Sequence, residues 1–64
     1  MTRGQAIREA KRLAKRKGHT IHVVYDVTYE ELYGREEAWA ICTDHDLDTY
    51  YATETPIFTA ESTS

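Results

Sequence analysis

The sequence predicts an α+β fold in which one N-terminal helix packs on a three-stranded antiparallel sheet, in the order α-β-β-β. Three observations predict this class: a stripe of apolar residues at helical spacing before residue 18, a β-branched segment that alternates at residues 20–28, and two later apolar or aromatic segments with polar turns around them. The 64 residues suffice for one small domain. We assign that domain to residues 1–58 and expect a frayed, Ser/Thr-rich tail at 59–64.

The segment from Thr2 to Lys17 predicts the helix. Thr2 and Gln5 have the spacing of a capping box, in which each side chain bonds the free backbone N–H of the other residue. Gly18 supplies the left-handed residue that commonly ends a helix. A narrow apolar stripe recurs at helical spacing along the segment: Ala6, Ile7, Ala10, Leu13 and Ala14.

The first strand is predicted at Thr20–Thr28, where β-branched residues dominate. One of its faces is apolar and is expected to pack on the helix, whereas the other is mixed and is expected to be solvated. The apolar face consists of Ile21, Val23, Tyr25 and Val27. Residues 29–35 leave two alternatives, a longer hairpin or a single helical turn that ends at Gly34, and we favour the hairpin.

Two more strands are expected to complete an antiparallel meander. Glu37–Thr43 places Trp39 and Ile41 on one face and small residues on the other. The acidic segment 44–48 is typical of a turn. Thr49–Thr53 then predicts a short third strand.

Aromatic residues are numerous for so short a chain, with five tyrosines and one tryptophan. Since aromatic rings bury large apolar areas, we expect a core that contains Tyr25, Trp39 and one of Tyr50 and Tyr51. After Pro56, Ile57 and Phe58 are expected to pack back on the sheet as a strap. A tyrosine left outside beside carboxylates would be an anchor for a protein interface.

The charges divide along the chain. Residues 1–18 contain seven basic side chains and one glutamate, whereas the remainder contains ten carboxylates and one arginine. Such asymmetry affects association with partners rather than the fold. The sequence therefore predicts one basic and one acidic surface.

The acidic residues group around two connections. A rim of spaced carboxylates can imitate a phosphate backbone and dock on a basic protein, and such complementarity sets association rate and partner choice. The alternative is ordinary solvation of two turns. The predicted contact residues are Glu30, Glu31, Glu36, Glu37, Asp44, Asp46 and Asp48.

The basic helix suggests a second function, direct binding of nucleic acid. Lysine and arginine neutralise phosphates and supply most non-specific affinity for nucleic acid. The alternative is a solvated helix face. The candidate residues are Arg8, Lys11, Arg12, Lys15 and Arg16.

No pattern predicts an enzyme, a metal site or a cofactor site. Cys42 is the single cysteine, and the three histidines show no spacing known from zinc or nucleophile motifs. The longest apolar run, residues 38–42, is far shorter than the roughly 20 residues of a membrane-spanning helix. Because the N-terminus lacks the apolar stretch of a signal peptide and one cysteine suits a reducing compartment, we expect a cytoplasmic protein that does not contact membranes.

In size, in its α-β-β-β unit and in its acidic stretches at residues 30–37 and 44–48, the chain resembles small proteins of phages and mobile elements, including anti-CRISPR proteins. That resemblance implies a stoichiometric inhibitor whose acidic residues contact a nucleic-acid-binding effector complex. Two further hypotheses stay open: nucleic-acid binding by the basic helix, and a structural module that forms a homo-oligomer.

Overall fold

The computed structural model describes residues 1–51 and 55–61. It confirms the α+β class, with an N-terminal helix on a three-stranded antiparallel sheet. Two short helices and a 3-10 turn at Arg35–Glu37 connect the strands. The helices and strands in chain order are α1 (Arg3–Lys17), β1 (Ile21–Tyr25), α2 (Val27–Tyr33), β2 (Trp39–Thr43), α3 (Asp44–Thr49) and β3 (Phe58–Ala60).

Both predicted ends of α1 are confirmed. The Thr2 hydroxyl accepts the Gln5 N–H at 3.2 Å, and the Gln5 side chain accepts the Thr2 N–H at 2.9 Å. Gly18 has φ 68° and donates its N–H to the Ala14 carbonyl. Three alanines of the predicted stripe are buried against the sheet, because a methyl group lets the helix approach it closely: Ala6, Ala10 and Ala14.

The strand order is β2-β1-β3, so β1 is central and the expected meander is wrong. The third strand is Phe58–Ala60, in the segment predicted to be a strap and the start of the tail, and Ala60 is buried.

The strand expected at Thr49–Thr53 does not form at its first residues. The Thr43 hydroxyl caps α3 by accepting the Asp46 N–H, so residues 44–49 become a helix rather than a turn. Residues 52 and 53 of that prediction lie outside the described residues.

The two faces of the sheet are both covered. Ile21 and Val23 pack on α1 as predicted, together with Trp39 and Ile41 of β2. The opposite face was expected to be solvated, and that expectation is wrong. Its core consists of buried Val24, Ala40 and Cys42, against which α3 and the residue after its C-terminal cap pack Leu47 and Tyr51.

Helix α2 replaces the favoured hairpin. Strand β1 ends at Tyr25 because the Asp26 carboxylate turns back to accept the N–H groups of Thr28 and Tyr29, which begins a helix. Gly34 follows with φ 90°, a conformation that side chains disfavour. The alternative of a helical turn that ends at Gly34 is therefore correct.

The aromatic residues are less buried than predicted. Tyr25 and Trp39 are half-buried and meet edge to face, with ring centroids 5.1 Å apart. Of the tyrosine pair, Tyr51 packs on the sheet and Tyr50 is 77% exposed. Alanine and valine side chains fill the centre instead, which suits a thin three-layer domain.

Candidate functional site

One segment projects from the end of the sheet without contributing to the core. We call helix α2 and the 3-10 turn Arg35–Glu37 the acidic arm. None of its residues is buried. Val27 is 60% exposed, and Leu32 and Tyr33 are each 65% exposed. In a small domain, apolar side chains of this size are normally present because they pack in the core. Packing does not explain their presence in the arm, so their exposure needs another explanation.

The orientation of the arm is fixed by Asp26, which precedes α2 and connects it to Tyr51, the residue after the C-terminal cap of α3. One carboxylate oxygen of Asp26 caps α2, and the other accepts the hydroxyl of Tyr51 at 2.7 Å. Burial and the Asp26 carboxylate both raise the pKa of Tyr51, so the phenol stays protonated and continues to donate. The neighbouring Glu30 carboxylate raises the pKa of Tyr25, which places this residue of α2 beside the end of β1.

The outer side of α2 presents a continuous apolar patch. Tyr29 and Tyr33 are four residues apart and stack edge to face, with ring centroids 5.8 Å apart. Leu32 lies three residues after Tyr29 and therefore beside it on the same side of the helix. Sequence reasoning identified any exposed tyrosine beside carboxylates as a possible interface anchor, and Tyr33 meets that description. It did not single out Leu32. The sequence did contain a signal for this exposure, because Leu32 is an apolar residue within a charged segment.

The predicted acidic residues form two groups. Glu30, Glu31, Glu36 and Glu37 lie on the arm, at the end of the sheet where Tyr25 pairs with Trp39. The aspartates lie on α3, which begins at the other end of β2, where Thr43 pairs with Ile21. Five residues of strand separate the two starting points, about 13 Å.

Two of the aspartates are engaged locally. Asp44 accepts from the imidazole of His22 at 2.5 Å, and Asp46 lines a groove with Cys42 and Thr43. Burial, with the charges of Asp46 and Asp44 added, raises the pKa of the Cys42 thiol to about 11. Such a thiol is a small apolar core residue and a poor nucleophile.

The predicted basic residues are all exposed on the solvent side of α1: Arg8, Lys11, Arg12, Lys15 and Arg16. Arg12 forms an ion pair with Glu9, which lowers the pKa of that carboxyl. The Lys11 ammonium lies over the Phe58 ring, 5.6 Å from its centroid. Helix α1 covers one face of the sheet and α3 the other, and the two helices approach each other where Asp46 lines a groove with Leu13 and Lys17.

The histidines and Cys42 are not part of a metal-binding group in the part of the chain that the structure describes. No group of three or more His, Cys, Asp or Glu side chains is arranged to hold a metal ion among residues 1–51 and 55–61. His22 is buried and has both ring nitrogens in hydrogen bonds, to Asp44 and Thr59. Within the same described ranges, no helix has the length and apolar character needed to cross a membrane.

Comparison with known proteins found no matching protein family, no matching curated protein and no matching solved structure.

Proposed function

We propose that this chain is a non-enzymatic binding protein whose acidic arm docks on a basic, nucleic-acid-binding protein. One observation supports the proposal: α2 has no buried residue, yet it displays Leu32 and Tyr33 among carboxylates. Exposed apolar clusters with a polar surround are typical of interaction sites. Tyrosine is also enriched among the residues that contribute most to binding energy.

The charges of the arm indicate the chemistry of the partner. The arm contains four glutamates and one arginine, Arg35. Spaced carboxylates complement the lysine- and arginine-rich grooves that hold phosphates, and they accelerate association with such grooves. The arm would therefore occupy a groove that otherwise binds nucleic acid. If the resemblance to anti-CRISPR proteins holds, the partner is an effector complex in the cytoplasm and the outcome is inhibition.

The solvent side of α1 in a second copy of the chain does not suit the arm as its partner. The solvent side of α1 is basic, but its exposed residues are charged or polar apart from Gly4. Leu32 and Tyr33 would find no apolar pocket there. We assign the arm to a different protein that combines basic residues with an apolar pocket.

The experiment is affinity capture from host lysate with the tagged chain and three variants. Leu32→Ala/Tyr33→Ala removes the apolar anchors and is expected to weaken capture at least tenfold, since hot-spot truncations cost about 2 kcal/mol or more. Glu31→Gln/Glu36→Gln removes two arm charges and is expected to slow association. Asp46→Asn/Asp48→Asn removes two charges from α3 and is the matched control.

The proposal requires that the wild type and the α3 control capture the same basic, nucleic-acid-binding protein, that Leu32→Ala/Tyr33→Ala loses it, and that Glu31→Gln/Glu36→Gln captures it more slowly than the wild type. Equal losses from the α3 control and the arm variants would show that the arm is not the contact. Capture of an acidic protein, or of one without nucleic-acid affinity, would also contradict the proposal.

A further inference from the structure

Four basic residues of α1 form one stripe along the helix. Lys11, Arg12 and Lys15 lie three, four and seven residues after Arg8, which places all four on one side of a helix with 3.6 residues per turn. We call them the basic stripe. All four are exposed, and the buried alanines of α1 lie on the far side of the helix. The capping box and Gly18 fix both ends of the helix, so the Cα atoms of the four residues have fixed relative positions.

Few carboxylates neutralise the basic stripe. The described ion pairs of α1 consist of Arg12 with Glu9. Glu61 lines a groove with Lys11 and Lys15. Among residues 1–51 and 55–61, the other acidic groups are Asp26 at the start of α2, the glutamates of the arm and the aspartates of α3, which packs on the opposite face of the sheet. The stripe therefore keeps a positive potential although the chain has a net charge of −3.

We infer that the basic stripe binds the phosphate backbone of duplex nucleic acid, without reading its sequence. A row of cations on one side of a helix neutralises phosphates of the backbone, and each neutralised phosphate releases counterions. Base readout needs several polar side chains at base edges, whereas this side of α1 has Gln5 as its one amide. This inference goes beyond the acidic arm and does not rest on it.

Two other anionic partners fit this surface less well. Single strands bind where aromatic rings are free to stack on bases, but Phe58 beside the stripe is half-buried and lies beneath Lys11. Anionic membranes bind helices that also insert an apolar face. On α1 the large apolar residues, Ile7 and Leu13, pack against the core instead.

The experiment titrates a short, fluorescein-labelled DNA duplex of mixed sequence with the full chain and follows fluorescence anisotropy. Four phosphate contacts predict a slope of about −3.6 for log K against log salt, which is roughly a hundredfold loss of affinity between about 50 and 200 mM salt. Arg8→Gln/Lys15→Gln removes two stripe charges and avoids the pairs made by Lys11 and Arg12. Its predicted loss over the same range is roughly tenfold.

The matched control is Arg3→Gln/Lys17→Gln, which removes two charges from the same helix on the alanine side. Its salt slope is expected to equal that of the wild type. The same slope change in both variants would overturn the stripe as the site, because net charge alone would then explain binding. Circular dichroism of each variant confirms that α1 is intact.

Three further results would overturn the inference: no complex with the duplex at about 50 mM salt, tighter binding of a single strand of the same sequence, or binding to phosphatidylserine vesicles without binding to the duplex. The arm variant Leu32→Ala/Tyr33→Ala is expected to bind the duplex like the wild type. The duplex titration therefore tests the basic stripe, and the capture experiment tests the acidic arm, so either proposal can be wrong without the other.

Discussion

The Nε2 atom of His22 lies 2.5 Å from Asp44 Oδ1, while its Nδ1 atom lies 2.9 Å from the hydroxyl of Thr59. One imidazole thus joins the central strand β1 to the start of α3 and to the edge strand β3. His22 is 8% exposed, and both of its polar atoms have partners. The histidine stabilises the two elements that are farthest from β1 in sequence.

His22→Ala is expected to lower the free energy of unfolding by about 2 to 3 kcal/mol, because two hydrogen bonds and a buried ring are lost. Asp44→Ala is expected to cost about 1 kcal/mol, since water can replace an exposed carboxylate at the imidazole. Urea denaturation followed by circular dichroism measures both. Asp48→Ala, which removes an exposed carboxylate from the same helix, is the control and is expected to stay within about 0.5 kcal/mol of the wild type. Equal effects of His22→Ala and Asp48→Ala would contradict the connecting role.

Asp26 is expected to couple the arm to the segment after α3. Asp26→Ala removes the cap of α2 and the acceptor for Tyr51, so the expected cost is about 1 to 2 kcal/mol. Asp26→Asn retains a good capping side chain and is expected to cost less. Since Tyr51→Phe removes the same hydroxyl contact, the double variant Asp26→Ala/Tyr51→Phe is expected to be less destabilised than the two single effects predict. Strict additivity in urea denaturation would show that the contact contributes nothing.

The fold class and α1 could be predicted because their signals are local. The capping box at Thr2 and the αL residue Gly18 are each complete within a few residues. The strand order could not be predicted, since it depends on pairing between Ile21 and Ala60, which are far apart in sequence. Helix α2 was only the less favoured alternative and α3 was missed, because Asp26 and Thr43 cap them within short polar segments that equally suit turns.

The candidate site was predicted in part. The sequence shows which residues carry carboxylates, but β2 lies between the two groups, so they are at opposite ends of the sheet. The exposure of Leu32 follows from the way Asp26 and Tyr51 hold α2 away from the core, a relationship that spans 25 residues. Periodicity cannot reveal such a contact.

Cys42 is expected to resist thiol reagents in the folded chain. Burial and two neighbouring carboxylates raise its pKa from 9.0 to about 11, so little thiolate exists near neutral pH. The reaction with dithionitrobenzoate at about pH 8 is expected to proceed at the rate of unfolding and to become fast in denaturant. Rapid stoichiometric labelling under native conditions would contradict the burial of this thiol.

The same pKa makes stability depend on pH in the alkaline range. The folded pKa of Cys42 exceeds the unfolded value, so its contribution is complete below pH 9.0 and is lost as the pH rises toward about 11. Tyr51 and Tyr25, whose pKa values are also raised, act in the same direction. Cys42→Ala removes the contribution of the thiol to this pH dependence. The unfolding free energy of the variant is therefore expected to fall less than that of the wild type between pH 9.0 and about 11. Identical slopes in urea denaturation at several pH values would contradict this assignment.

Substitutions of two leucines distinguish a role in stability from a role in binding. Leu47 packs against the core of Val24, Ala40 and Cys42, whereas Leu32 is 65% exposed on the arm. Leu47→Ala is therefore expected to cost about 2 kcal/mol or more in urea denaturation, and Leu32→Ala is expected to stay within about 0.5 kcal/mol of the wild type. Because the two changes remove the same atoms, the difference reports burial alone. A large loss of stability in Leu32→Ala would mean that the arm packs on the domain, and its leucine would then have a structural role rather than a role in docking.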